Sequence, residues 1–356
     1  PLFAWNTSIG QWSNLTDFPV YDLKPERTNS FEVGMNMRFL KNFELDVTYY
    51  NAKTMNQTFN PELPVGEYAR IYIQTGAVRN QGLELALNYN NTWKDFTWNT
   101  GVTYSMNKNK ILTLADNAIN PITREKFSIS SLNMGGLGST RFILKEGGSM
   151  GDIYSLMDLK RDANGAVYID ENNSVVTESL EANNYIKLGS VLPKGNLAWR
   201  NNFSWKNINV AFLVSARLGG VVFSRTQAVL DNFGVSEASA AARDKGYVSV
   251  NGNDRVNPEG WYSVVAGGTA VPQYYIYSAT NIRLQEASIG YTIPRKWLGN
   301  VCDIKVSLIG RNLWMIYNKA PFDPESVAST DNFYQGIDYF MMPSLRNIGF
   351  NLSFKF

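Results

Sequence analysis

Three carboxylates, Glu32, Glu44 and Asp46, lie close together in the chain. Glycosidases use such groups in pairs, with the two carboxyls roughly 5–9 Å apart. A second acidic stretch, Asp162-Ala163-Asn164-Gly165 followed by Asp170-Glu171-Asn172, offers oxygen ligands and a turn glycine. It lacks the full Asp-x-Asp-x-Asp-Gly spacing of a calcium loop, so a solvated Asn-Gly turn is the better reading. Arg38, Arg200 and Arg283 could grip an anionic ligand, or pair with carboxylates such as Glu32, Glu44 and Asp46; the pairing is favoured. Aromatic residues crowd two stretches: Trp261, Tyr262, Tyr274, Tyr275 and Tyr277, then Phe333, Tyr334, Tyr339 and Phe340. Their faces can stack on sugar rings or pack against peptide side chains, which makes them candidates for substrate binding. The competing reading is that they pack long loops on one another or against a partner. The chain has no His and one Cys, Cys302. Ser-His-Asp and Cys-His catalysis within it are therefore excluded, as is a zinc site built on several cysteines. No metal site, no cofactor and no enzymatic activity are expected.

The elements that carry these residues read as strands. Phe43, Leu45, Val47 and Tyr49 alternate with Glu44, Asp46 and Thr48. Phe31, Val33, Met35, Met37 and Phe39 oppose Glu32, Asn36 and Arg38; Leu83, Leu85, Leu87 and Tyr89 oppose Glu84, Asn88 and Asn90. Trp98, Val102, Tyr104 and Met106 oppose Asn99, Thr103, Ser105 and Asn107. The end of the chain repeats the pattern, with Ile348, Phe350, Leu352, Phe354 and Phe356 against Asn351, Ser353 and Lys355. A period of two puts one set on each face of a sheet. The runs exceed the usual ~5–6 residues of a globular strand and match the ~9–11 tilted residues that cross a bilayer. One face is apolar with aromatic ends and the other is wet, as in a transmembrane antiparallel β-barrel. No apolar run reaches the ~18 residues of a membrane helix; the best, Val210 to Phe223, is broken by Ser215, Arg217, Gly219 and Gly220.

Eleven strands are predicted, at 29–40, 43–54, 79–91, 94–107, 139–146, 150–159, 195–206, 208–219, 281–293, 302–313 and 345–356. Short connections at 41–42, 91–93, 147–149, 207 and 294–301 alternate with long ones at 55–78, 108–138, 160–194, 220–280 and 314–344. Short periplasmic turns against long extracellular loops is the outer-membrane arrangement. On this parity the last strand runs toward the periplasm, and residues 1–28 form an extracellular loop segment. An odd, open sheet would leave unpaired edges in lipid, so residues 29–356 are expected to be part of a larger barrel. The chain begins Pro-Leu-Phe without an initiator Met, consistent with a mature product, a fragment or a partial chain.

Several motifs resemble one family. Leu23-Lys24-Pro25-Glu26-Arg27-Thr28-Asn29-Ser30-Phe31-Glu32-Val33-Gly34 and Leu45-Asp46-Val47-Thr48-Tyr49-Tyr50 are similar to the late barrel of SusC/RagA TonB-dependent outer-membrane transporters. So are Val78-Arg79-Asn80-Gln81-Gly82-Leu83-Glu84-Leu85, Asn107-Lys108-Asn109-Lys110 and the block from Asn281 to Pro294. Gly310-Arg311-Asn312-Leu313 and Phe322-Asp323-Pro324-Glu325 complete the series, which runs in order from about residue 23 to 356. The resemblance implies the C-terminal half of a 22-stranded barrel, with the plug domain and N-terminal strands outside this chain and the plug as a further partner for Arg38, Arg200 and Arg283. It implies a SusD-like surface lipoprotein acting as a lid, and a TonB complex engaged through the missing N-terminal part. It further implies recognition of the final strand (Phe350, Leu352, Phe354, Phe356) by the barrel insertion machinery, a dimer of transporter–lipoprotein pairs, and uptake of oligosaccharides or oligopeptides in Bacteroidota.

Other classes remain open on the residues alone. A passive porin shares the periodicity, and only the resemblance argues for TonB dependence. A soluble all-β glycan-binding module should have shorter strands whose apolar faces pair inward. Lys plus Arg number 33 against 31 for Asp plus Glu, so there is no basic footprint for nucleic acid.

Overall fold

Nine long antiparallel strands make the wall, and each pairs only with its sequence neighbours. They are β1 (Arg27–Phe39), β2 (Phe43–Phe59), β3 (Ile73–Trp93), β4 (Phe96–Thr113), β5 (Gly195–Trp205), β6 (Ile208–Leu218), β7 (Asn281–Ile293), β8 (Asp303–Asn318) and β9 (Asn347–Lys355). The computed structural model describes residues 3–6, 10–14, 24–59, 73–119, 124–268, 270–299, 301–330 and 334–355. Among these residues, β1 and β9 are paired on one side only.

The sequence alternation is the register of this wall. Leu45 faces Met37 and Leu87 across its two ladders, while Glu44 faces Arg38 and Asn88. On the polar face Arg38 meets Glu44 at 3.2 Å, Arg311 meets Glu286 at 3.0 Å, and the Asn36 amide donates to Asp46. On the apolar face, rings run from strand to strand near the short turns: Phe39–Phe43 at 5.3 Å, Phe43–Tyr89 at 4.7 Å, Tyr89–Trp98 at 5.3 Å and Trp98–Phe203 at 6.1 Å. This is the interfacial aromatic girdle. The indole of Trp98 donates to the buried Asn201 Oδ1 at 3.1 Å, which satisfies a polar group among the rings. Tight hairpins close this end, with Lys94 and Lys206 in the left-handed conformation that a two-residue loop demands at its first position.

At the other end the strands outrun the membrane. β3 has 21 residues, about twice what a tilted span needs. The long connections there fold together. Phe142, Ile153, Leu159, Val175, Val191, Phe223, Val265, Val271, Tyr275 and Ile337, drawn from three separate connections, form one buried core. A second cluster joins Val78 of β3 and Ile111 of β4 to Leu114, Leu132 and Leu144. Val221–Ser224 pairs antiparallel with Ile276–Ser278 and parallel with Ile337–Asp338, stitching two connections into one sheet.

Two predicted strands sit elsewhere than expected. Residues 139–146 and 150–159 do form strands, Thr140–Lys145 and Asp152–Ser155, but these lie in a separate four-stranded sheet with Ser131–Asn133 and Ile186–Ser190. Among the described residues the wall therefore contains nine strands, and the turn at 147–149 belongs to the loop assembly. The physical reason is visible in Phe142-Ile143-Leu144, three consecutive buried residues: this strand is covered on both faces and does not alternate. Parity survives, because removing one hairpin removes two strands. The connection at 220–280 also holds three helices, α1 (Arg225–Asn232), α2 (Glu237–Lys245) and α3 (Pro258–Val265). Ser224, Ser236 and Asn257 cap them by accepting N–H bonds. The apolar run from Val210 divides at Gly219 and Gly220, both in the left-handed region at φ 74° and 82°, where the wall ends and the loop sheet begins. Half of the segment 1–28 lies outside the described residues; within it, Phe3–Asn6 pairs antiparallel with Gln11–Asn14.

The two faces should differ in tolerance. Val102→Arg, on the apolar face about halfway along β4, is expected to destabilise the barrel by about 2–4 kcal/mol. Asn99→Lys, on the wet face of the same strand, should cost little. Unfolding in lipid vesicles followed by gel mobility shift would measure both.

Candidate functional site

The site is built where the loop assembly meets the polar face of the wall. Asn281 and Arg283 open β7, and both are buried. The Arg283 guanidinium bonds Asp323 Oδ1 at 2.9 Å and approaches Glu325 Oε2 at 3.3 Å. Asn281 Nδ2 donates to Glu325 Oε1 at 3.1 Å, and Asn281 Oδ1 accepts from Arg283 Nε at 3.1 Å. Asp323 also accepts the backbone N–H of Ser344 and of Glu325. Burial alone would raise the Asp323 carboxyl. The bonds from Ser344, Arg283 and Glu325 outweigh it and hold the group below the ordinary carboxylate range. This cluster pins the connection 319–346 to the wall, so two motifs forty residues apart are one structural unit.

Other motifs meet in the same way. Asn80 Oδ1 accepts from Asn107 Nδ2 at 3.1 Å and Asn109 Nδ2 at 2.9 Å. Gly82 lies opposite Tyr50, whose ring occupies the space a Cβ would need. Arg311 pairs with Glu286, and Asn312 Nδ2 bonds Leu345 O at 3.1 Å.

The predicted aromatic residues do not form a single surface. Trp261 packs edge-on to Tyr274 at 5.2 Å and lies against the loop core. Tyr275 is buried in that core and donates to Asp231 Oδ2 at 3.1 Å; the other oxygen of this buried carboxylate accepts Gln227 Nε2 at 2.8 Å. Burial, then the Asp231 charge, raises the Tyr275 phenol far above its ordinary value and pushes Tyr277 up to about 12. Tyr277 packs edge-on to Phe322 at 5.4 Å. Tyr262 lines an outer cleft of about 520 Å³ with Asp231, Arg243, Asn257 and Glu259. Tyr334 is exposed beside Gly135, and Tyr339 and Phe340 are exposed and packed on each other at 5.4 Å. Phe333 lies outside the described residues. Phe350, Leu352 and Phe354 are exposed on the apolar face of β9; Phe356 lies outside the described residues.

Of the arginines, Arg38 and Arg283 pair with carboxylates, and Arg200 sits on the wet face of β5 opposite Gly101 and Leu213. Asp162 and Asp170 each cap their own turn by accepting two backbone N–H groups. Sequence reasoning missed Asp231. The Ser224 and Ser236 caps were the available signal for the helices that bring Asp231 to the cleft.

The wall, its girdle and its folded roof match a known architecture. The family model for the TonB dependent receptor-like β-barrel matches residues 2–313. The chain belongs to that family. TonB-dependent receptors P3 and P26 of Formosa agariphila are 26% and 27% identical to it, over 96% and 93% of this chain. Those matches cover 35% and 34% of the two receptors, so the chain spans about a third of their length. The fold is also that of the RagAB peptide transporter (TM-score 0.67) and of the RagAB peptide importer in its closed-closed state (TM-score 0.66). Each is 16% identical and covers 93% of this chain and 35% of the solved one. The SusC/RagA resemblance read from the motifs thus has a counterpart in the fold. TonB-dependent receptors are outer-membrane transport proteins, not a family of enzymes.

The buried ion cluster yields two expectations. Arg283→Ala leaves Asp323 without its cation and should cost about 3–5 kcal/mol locally, read as faster hydrogen exchange over 319–346 with the girdle unaffected. The Asp323 carboxyl is depressed in the folded state, so its stabilisation is complete above the ordinary value of ~3.9 and is lost as pH falls below it. Pepsin cleavage of the 319–346 connection should therefore rise below about pH 4 and be absent at pH 5.

Proposed function

We propose that this chain is the C-terminal half of the barrel of an active outer-membrane importer, residues 29–356 forming wall and roof and residues 1–28 belonging to an extracellular loop. The observation that carries this reading is the combination of a lipid-facing meander with a folded, multi-connection roof. A passive pore needs an open mouth, whereas three interlocked connections make a shaped platform over the lumen. On this reading the rest of the protein supplies the remaining strands, the plug and the segment that engages TonB. A SusD-like lipoprotein closes on the roof, and two such pairs associate. The cargo is an oligosaccharide or an oligopeptide, and the exposed Tyr274, Tyr334, Tyr339 and Phe340 are candidates for contact with cargo or lid. Trp261, Tyr262, Tyr275 and Tyr277 would support that surface from within. The final strand, from Phe350 to Phe356, would be read by the barrel insertion machinery.

The test uses the full-length protein in its native membrane. Tagged at its chromosomal locus and extracted in detergent, it should bring down one surface lipoprotein in equal amount. Deleting the gene should abolish growth on at least one pool of oligosaccharides or oligopeptides, and an uncoupler should stop uptake in the parent strain. Uptake that persists after uncoupling would mean a passive porin. A protein that remains soluble without detergent would mean a soluble binding module.

A further inference from the structure

We propose that the lipid-facing side of the wall holds a site for one anionic phospholipid of the periplasmic leaflet. An acyl chain lies in a groove across β6, β7 and β8, and the phosphate sits at turn cations below it. The proposal goes beyond the import reading and does not depend on it. The groove is on the outer face of the wall, away from the lumen where a plug would sit, and β6, β7 and β8 are each paired on both sides. It measures about 580 Å³ and its lining is almost wholly apolar. Its floor is a gap in one row of side chains. Ala287 lies opposite Phe212 and Gly310, and Gly310 opposite Ile348, so two small residues stand between two large ones. The next row toward the short turns carries Ile289 and Leu308, both more than half exposed. At the far end β8 bulges: the register shifts between Leu284 and Glu286, and Asn312 takes a left-handed φ of 50°. The bulge turns Leu313 back over Gly310, where a Cβ would lie 2.5 Å from a Leu313 methyl, and sets the exposed Trp314 beside Leu284. From Ile208 to Val214 is six residues, about 20 Å along the strand and about 15 Å across the membrane at the usual tilt. That is the depth of one leaflet, half of the ~30 Å hydrocarbon core. A smooth wall leaves an acyl chain free to slide, whereas a groove holds it by dispersion contacts on several sides.

The mouth of the groove lies at headgroup depth. Trp205, Ile208, Tyr291 and Val306 stand opposite one another in order from β5 to β8, all exposed, and such rings mark the membrane interface. Lys206 Nζ lies 5.4 Å from the centroid of the Trp205 ring, which puts the ammonium on the lipid side of the wall. Lys206 is held at φ 51°, a conformation that Asn or Gly adopts more readily. A lysine there gives up turn preference and brings a charge to the mouth of the groove. The Thr292 N–H bonds Asn207 O at 2.8 Å and joins this turn to the next, Arg295–Leu298, with Lys296 and the exposed Trp297. Arg295 is engaged by Asp303 at 3.9 Å and by Val301 O at 3.3 Å, so Lys206 and Lys296 are the cations assigned to the phosphate. Across the turns that close β3–β4, β5–β6 and β7–β8, Lys94, Lys206, Arg295 and Lys296 outnumber Asp95 and Asp303. This excess favours an anionic headgroup over a zwitterionic one. The lysine stems lie along apolar surface while their ends reach the phosphate.

Native mass spectrometry of the detergent-purified full-length protein, with whatever lipoprotein accompanies it, tests the proposal. The probes are phosphatidylglycerol and phosphatidylcholine with the same acyl chains. The first phosphatidylglycerol retained should bind more tightly than phosphatidylcholine. Lys206→Asn suits the turn and removes the charge; it should weaken phosphatidylglycerol about 5-fold and leave phosphatidylcholine unchanged. Ala287→Leu fills the floor of the groove with apolar atoms and should weaken both lipids. The proposal is overturned if the unaltered protein shows no preference, if Ala287→Leu binds lipid as before, or if Lys206→Asn weakens both lipids equally. It is overturned as well if Ala287→Leu releases a second copy of the protein and no lipid, since the groove would then be an interface between copies. Should Ala287→Leu fail to fold, the preference of the unaltered protein and its loss in Lys206→Asn decide the matter. Cargo uptake does not enter these measurements, so the import reading stands or falls separately.

Discussion

A backbone N–H or C=O inside hydrocarbon has no water to bond, and each one left unpaired costs several kcal/mol. Everything in this chain follows from meeting that demand with strands. The wall strands must be long and joined to immediate neighbours, and all eight ladders among the described residues are of this kind, four of them with a bulge or irregularity that shifts the register. Because the wall separates lipid from a wet interior, its two faces must differ in chemistry at every residue. The alternation of Leu45 and Val47 with Glu44 and Asp46 is that difference written along one strand.

A wall of this type has no interior of its own. Its apolar face meets lipid and its polar face meets water, so close packing of apolar side chains has to occur elsewhere. Here it occurs in the roof, where Phe142, Phe223 and Ile337 from three different connections are almost wholly enclosed. Long connections lose much entropy on ordering, and this shared core is what offsets it. The roof is then fixed to the wall by a small number of polar contacts. Arg283 with Asp323 and Glu325 is the principal one. Within the roof, Ser224 Oγ donates to Asp338 Oδ2 at 2.6 Å and ties two connections together. A buried ion pair gives little net stability against an apolar alternative but is exacting in geometry. That suits a platform that must hold a fixed position over a lumen.

The wall was legible in the sequence because its physics is local. Period two marks five of the strands plainly, and all nine of the sheet are among the eleven predicted. Thr140–Lys145 and Asp152–Ser155 are strands of another kind, buried on both faces, and a run such as Phe142-Ile143-Leu144 carries no period from which to place it. The helices of the roof were less legible still. They have eight or nine residues, and their caps at Ser224, Ser236 and Asn257 are common residues in loops. The aromatic residues illustrate the same limit. Tyr274 and Tyr275 are adjacent, yet one ring is exposed and the other is enclosed with its hydroxyl on Asp231.

The sequence by itself determined that this is a membrane wall with short turns on one side and long connections on the other, since face chemistry and strand length are properties of neighbouring residues. The ordered motifs also pointed to the family. Only the tertiary structure decided which motifs touch: Asn80 with Asn107 and Asn109, Gly82 with Tyr50, Asn281 and Arg283 with Asp323 and Glu325. Hydrogen bonds and ion pairs depend on distances of a few tenths of an ångström between residues far apart in the chain. Periodicity carries no information about such distances, and packing sets them.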